Sequence, residues 1–60
     1  MKKKDIKILL VDDEQDILEI VGYNLTQEGY KIVTALNGKE AIAVAKKERP
    51  QLIIMDVMMP

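Results

Sequence analysis

Three aspartates stand where short apolar runs stop. Asp12 and Asp13 follow Ile8-Leu9-Leu10-Val11 directly, and Asp56 follows Leu52-Ile53-Ile54-Met55. An ionised side chain inside the run Leu-Ile-Ile-Met-Asp-Val-Met-Met is costly if buried without a partner, so Asp56 is expected at a strand mouth beside a cation. Carboxylates held within a few ångströms repel one another and stay ionised together only when a cation shares the site. Oxygen ligands of this hardness suit Mg²⁺ or Mn²⁺, which keep several waters and are completed by phosphate oxygens. For Asp12 and Asp13 taken alone, metal binding and capping of the following helix stand side by side. Glu14 and Asp16 are read only as first-turn helix charges. Met55, Met58 and Met59 are read as packing residues, because thioethers favour soft metals.

The rest of the composition narrows the chemistry. The chain has 60 residues, with 9 Lys and Arg against 10 Asp and Glu, a formal net charge of -1, so no basic excess draws it to nucleic acid or anionic lipid. It has no cysteine and no histidine, which excludes thiol nucleophiles, zinc fingers and imidazole acid-base work by its own residues. Hydrophobic residues make up 48% and charged residues 32%, a globular rather than disordered balance. One thin core is what this length supports, since a domain of this size buries only about 60% of its unfolded surface. The apolar run after Met1-Lys2-Lys3-Lys4 is cut off by Asp12, too early for a signal peptide, and nothing approaches a membrane span. A soluble, cytoplasmic protein is expected, with the lysines as a solvated tail.

The elements that must position the acids alternate. Ile6 to Val11 reads as a strand buried on both faces. From Asp13 to Gln27 the period becomes helical, with Ile17, Val21 and Leu25 in a stripe widened by Leu18 and Ile20. Asp13, Glu14 and Asp16 suit the positive end of that helix, Gly22 is a small cost that permits close packing, and Gly29 suits a left-handed terminating position. Tyr30 to Ala35 is a second strand, whose Lys31 and Thr34 fit a sheet edge. Asn37-Gly38 has the form of a hairpin turn, but Ala41, Ile42 and Ala45 then share a helical face and Asn37 with Glu40 makes a capping box. Lys46, Lys47 and Arg49 complement the negative end of this second helix, and Pro50 stops it. Leu52 to Met55 is the third strand.

Strand, helix, strand, helix, strand with short connections is an α/β pattern, and right-handed crossovers make its strands parallel. With strand two on one side of strand one and strand three on the other, the order is 2-1-3. The carboxyl edge between strands one and three is then a topological switch point at which the three aspartates converge.

Ile-Leu-Leu-Val-Asp-Asp-Glu after a basic start, Asn-Gly-Lys-Glu-Ala-Ile in the second helix and Leu-Ile-Ile-Met-Asp-Val-Met-Met-Pro at the end form one pattern. It resembles the receiver domain of two-component response regulators, whose flavodoxin-like sheet has the order 2-1-3-4-5. The resemblance implies that Asp56 accepts a phosphoryl group from a histidine kinase. It implies that Asp13 is a direct Mg²⁺ ligand, that Asp12 holds the ion through water, and that the Met58 carbonyl completes the protein's share. Mn²⁺ is the alternative ion. Pro60 matches the turn residue that shapes the loop leaving the site. A regulatory phosphoacceptor rather than an enzyme is implied, with DNA reached only through an effector domain that these residues do not contain.

The resemblance covers about half of a receiver. The fourth strand with its Thr or Ser and the fifth with its Lys lie beyond Pro60, so weak or no self-catalysed phosphorylation is expected of the 60 residues alone. Strand three is expected to be an exposed apolar edge through which copies self-associate. Two other classes remain open: an assembly module without phosphotransfer, and a Mg²⁺-dependent phosphohydrolase. The first-strand Asp-x-Asp-x-Thr pattern of the latter is not met by Asp12-Asp13-Glu14-Gln15-Asp16.

Overall fold

The computed structural model describes residues 2–55. Three strands, β1 (Lys7–Val11), β2 (Lys31–Ala35) and β3 (Leu52–Met55), alternate with two helices, α1 (Gln15–Gln27) and α2 (Gly38–Glu48). Both pairings are parallel and the order is β2-β1-β3, the flavodoxin-like arrangement expected from the alternating sequence. Val11 faces Ala35 on one side and Met55 on the other, so all three strands end at one edge.

Strand β1 is central because its side chains are apolar on both faces. Ile8 and Leu10 pack with Leu18 of α1, supported by Val21, Leu25 and Ile32, while Leu9 and Val11 pack with Ala35 and Ala41, supported by Val33, Val44 and Ala45. Alternate residues point to opposite sides of a strand, so one five-residue strand nucleates two cores. Lys31 and Thr34 are exposed on β2, as its edge position requires.

The helices differ from expectation in register and in where they begin. Ile20 is 63% exposed and does not widen the buried stripe of α1. Ile42 is 60% exposed, and Val44 takes its place beside Ala41 and Ala45, because positions three and four apart share a helix face. Helix α1 starts at Gln15 rather than Asp13. The Glu14 main-chain N–H donates to Asp12 Oδ1 at 2.8 Å, and this local turn holds Asp13 and Glu14 out of the helix.

The helix ends follow their residues closely. At the end of α1, Gly29 at φ 105° lets its N–H reach Thr26 O (3.0 Å) and the Tyr30 N–H reach Leu25 O (3.2 Å). These two bonds make a Schellman motif, with Leu25 and Tyr30 in the same apolar cluster. Asn37 caps α2, its Oδ1 accepting from the Glu40 N–H at 2.8 Å. Arg49 ends α2 in the left-handed region, φ 50° and ψ 60°, and turns the chain into Pro50. The basic N-terminus is more than a solvated tail. Lys3–Asp5 forms a 3-10 turn, and Lys3 Nζ lies 3.2 Å from Glu28 Oε2 and 5.8 Å from the Tyr30 ring centre.

Strand β3 contributes to neither core. Its four side chains are all between 42% and 51% exposed, and among the described residues it pairs with β1 alone.

Candidate functional site

Asp12 is the residue at which β1 meets the carboxyl edge. Its N–H donates to Ala35 O at 3.2 Å, continuing the pairing with β2 for one step. Its side chain is drawn in, leaving the residue 7% exposed, and its Oδ1 accepts from the Glu14 N–H. Among the described hydrogen bonds none engages Oδ2. Asp12 also lines a cleft of about 240 Å³ between α1 and β3, where its carboxylate is the one charged group among apolar walls formed by Leu10, Ile17, Val21, Ile54 and Met55. Asp13, one residue further on, is exposed.

The two acids at the end of β1 thus face different surroundings. Asp12 is buried and held by a main-chain bond, while Asp13 is free to turn towards solvent. Asp56 and Met58, the remaining two residues of the expected site, lie outside the described residues. Among the described residues no three Asp, Glu, His or Cys side chains gather closely enough to hold a metal ion. The donor chemistry nonetheless fits a hard divalent cation. A drawn-in carboxylate fixed through one oxygen beside an exposed carboxylate supplies oxygen donors, and the chain has no histidine or cysteine to compete.

The sequence profile of the response regulator receiver domain matches residues 8–60. The chain belongs to that family. The receiver is 50% identical over 54 residues to the alkaline phosphatase synthesis transcriptional regulatory protein PhoP of Bacillus subtilis (strain 168), an alignment covering 90% of this chain and 22% of PhoP. It is also 50% identical over 60 residues to the probable transcriptional regulator ycf27 of Pyropia yezoensis, covering 100% of this chain and 25% of that protein. Among solved structures, the chemotaxis response regulator CheY4 of Vibrio cholerae superposes with a TM-score of 0.85 at 45% identity, over 92% of this chain and 46% of CheY4. The chain therefore spans about a quarter of the curated relatives it matches and under half of the solved one. Membership sets aside the phosphohydrolase alternative: the receiver is a regulatory domain of two-component systems, related to transcriptional regulators. No helix among the described residues is long and apolar enough to cross a membrane.

At the opposite edge of the receiver's sheet lies a cluster that the sequence did not announce. Lys7 Nζ donates to Glu48 Oε1 at 2.8 Å, joining β1 to the last residue of α2. The Lys7 N–H donates to Gln51 Oε1 at 2.7 Å, and the Gln51 N–H returns a bond to Lys7 O at 2.9 Å. The hydrogen bond from Lys7, reinforced by its charge and by that of Lys47, holds the Glu48 carboxyl below its ordinary value of 4.5. Lys7 lies 41 and 44 residues from Glu48 and Gln51, so only the parallel pairing of β1 with β3 brings it to them.

Proposed function

We propose that this receiver is the phosphoacceptor half-site of a two-component response regulator, with Asp56 as the phosphorylated residue. The observation carrying this reading is the buried, hydrogen-bonded Asp12 at the carboxyl end of a central parallel strand, beside Asp13, at the switch point of a 2-1-3 sheet. That is where open α/β sheets bind their ligands.

In the proposed reaction a carboxylate oxygen of Asp56 forms a bond to phosphorus as the phosphorus–nitrogen bond of a kinase phosphohistidine breaks. The imidazole leaves as the other product. Such transfer asks the protein for in-line placement and for neutralisation of charge on the phosphoryl oxygens. A bound Mg²⁺, or Mn²⁺ in its place, supplies that neutralisation. Asp13 and the Met58 carbonyl would hold the ion directly and Asp12 would orient a water on it, with Asp12 itself kept in place by the Glu14 N–H. The partners in this reading are a sensor histidine kinase and, through an effector domain outside residues 1–60, DNA. The setting is the cytoplasm.

The test is phosphate incorporation from a phosphorylated kinase or a small acyl phosphate into the natural full-length protein. A stoichiometric, acid-stable and base-labile adduct that is absent in Asp56→Asn supports the reading. An adduct that persists in that variant refutes it.

A second reading concerns assembly. The four half-exposed apolar residues of β3 favour pairing of that strand with a further one, and in the order 2-1-3-4-5 its neighbour is strand four. For residues 1–60 prepared alone, we propose that a second copy takes that place. Sedimentation of the isolated segment tests this, and a folded monomer at high concentration refutes it.

A further inference from the structure

We infer that Gln51, with Lys7 and Glu48, is a register pin whose task is to position the proposed phosphoacceptor site from the far end of the sheet. The inference rests on the phosphoacceptor reading above and extends it to residues away from the site, of which Gln51 lies five positions before Asp56 in sequence.

Register in a sheet is usually specified by which side chains reach the core, because a one-residue slip turns every side chain to the wrong face. That constraint is weak for β3. Leu52, Ile53, Ile54 and Met55 are all apolar, all about half exposed, and belong to neither core cluster. A two-residue slip keeps Leu52 and Ile54 on one face and Ile53 and Met55 on the other, so these four side chains discriminate poorly between the observed pairing and its neighbours.

The discrimination comes instead from the polar end. Gln51 grips one residue of β1 at both of its main-chain polar groups, its side-chain oxygen accepting from the Lys7 N–H and its own N–H donating to Lys7 O. The Lys7 side chain then reaches Glu48, tying the end of α2 to the same point. Three residues, Arg49 to Gln51, connect α2 to β3, and the left-handed Arg49 aims that link at β1. In any slipped register the Gln51 side chain would lie opposite a different peptide and the Lys7–Glu48 pair would be stretched.

The consequence is felt at the other end. Pairing sets Ile8 against Leu52 and runs without a bulge to Val11 against Met55, and in the sequence an aspartate follows each of these last residues, Asp12 and Asp56. A two-residue slip would displace one strand end from the other by about 6.6 Å at the ordinary strand rise. Mg²⁺ demands near-ideal octahedral geometry, and in-line transfer is sensitive to misplacement on the scale of one ångström. Gln51 is therefore a positioning residue that touches neither ion nor phosphoryl group.

The experiment uses the natural full-length protein and three variants: Gln51→Ala, which removes the acceptor; Gln51→Glu, which keeps an acceptor oxygen at the same reach; and Asn37→Ala, which uncaps α2 without touching β3. Mn²⁺ binding is measured together with amide exchange in β1 and β3. Gln51→Ala is expected to lose about tenfold in Mn²⁺ affinity, the scale on which residues that orient metal ligands act. It should also lose protection across β1 and β3, more than Asn37→Ala does through its general loss of stability, while Gln51→Glu restores both and Asn37→Ala leaves Mn²⁺ affinity unchanged. Equal loss in Asn37→Ala, or unchanged affinity and protection in Gln51→Ala, overturns the pin. If the parent protein binds no Mn²⁺ that Asp13→Ala abolishes, the phosphoacceptor reading falls and this inference with it. If the parent binds and Gln51→Ala binds equally, only the pin falls.

Discussion

Asp12 Oδ1 accepts a 2.8 Å hydrogen bond from the Glu14 main-chain N–H, so the acid that ends β1 is held by the turn that follows it. The bond closes a turn ahead of α1 and is not a helix cap, because the N-cap of α1 is Glu14 and makes no side-chain cap bond. Asp12 thus holds the turn with one oxygen, and among the described hydrogen bonds its other oxygen is unengaged.

The bond and the charge separate by substitution. Asp12→Asn keeps an oxygen acceptor for the Glu14 N–H but removes the charge, whereas Asp12→Ala removes both. Thermal or denaturant unfolding should show Asp12→Ala less stable than Asp12→Asn by about 1 kcal/mol, the usual net worth of one such hydrogen bond. Mn²⁺ titration should show both variants weakened. Equal binding in Asp12→Asn and the parent would place the ion elsewhere.

Gly22 lies in the middle of α1 against β1 and β2, and a Cβ built there meets Ile32 Cγ2 at 3.6 Å and Leu10 Cδ1 at 3.7 Å. Those are ordinary van der Waals distances, so the space accepts a methyl group. Gly22→Ala is expected to stabilise the fold by about 0.5–1 kcal/mol, since alanine removes the entropic penalty of a helical glycine. A lowered denaturation midpoint would show that α1 sits closer to the sheet than these distances allow.

Arg49 occupies a left-handed conformation at φ 50° that costs an L-residue with a Cβ roughly 1–2 kcal/mol. Arg49→Gly relieves this at the price of a freer unfolded chain, leaving an expected net gain of about 0.5 kcal/mol. Chemical denaturation with an unchanged slope checks it. Arg49→Val, β-branched, should lose stability at the same position.

The Lys7–Glu48 pair makes a pH dependence. Glu48 is held below its ordinary 4.5 in the folded chain by the Lys7 hydrogen bond and charge, so the folded state binds that proton less readily than the unfolded state does. The contribution is fully present above pH 4.5 and fades as pH falls through the lower folded value. Comparing acid unfolding of the parent with Glu48→Gln should therefore show curves that draw together below that range. A difference that grows on acidification would mean that Glu48 is not ion-paired in solution.

Much of the architecture was legible because it follows from local rules. Ile8 to Val11, apolar at every position, had to be a strand covered on both faces, and the Lys31 and Thr34 of β2 had to lie at an edge. Gly29 and Asn37 marked helix boundaries through backbone conformation and capping, which act within a few residues. Helical faces were less legible: Ile20 and Ile42 have the right chemistry for the interior, yet the structure turns them to solvent in favour of Leu18 and Val44. Apolar character alone does not say which of two positions two residues apart meets the sheet.

By itself the sequence determined the alternating elements, the parallel sheet, and the family that the Asp12-Asp13 pair and the Asp56 segment mark. Those features depend on periodicity, end signals and motif, all written along the chain. Only the tertiary structure decided that Asp12 is drawn in while Asp13 is left exposed, that Lys3 clasps Glu28, and that Lys7, Glu48 and Gln51 meet. In the last two cases the physical reason is the same. Which partner a polar group finds depends on strand register and helix placement across tens of residues, and those are settled by packing the whole sheet at once.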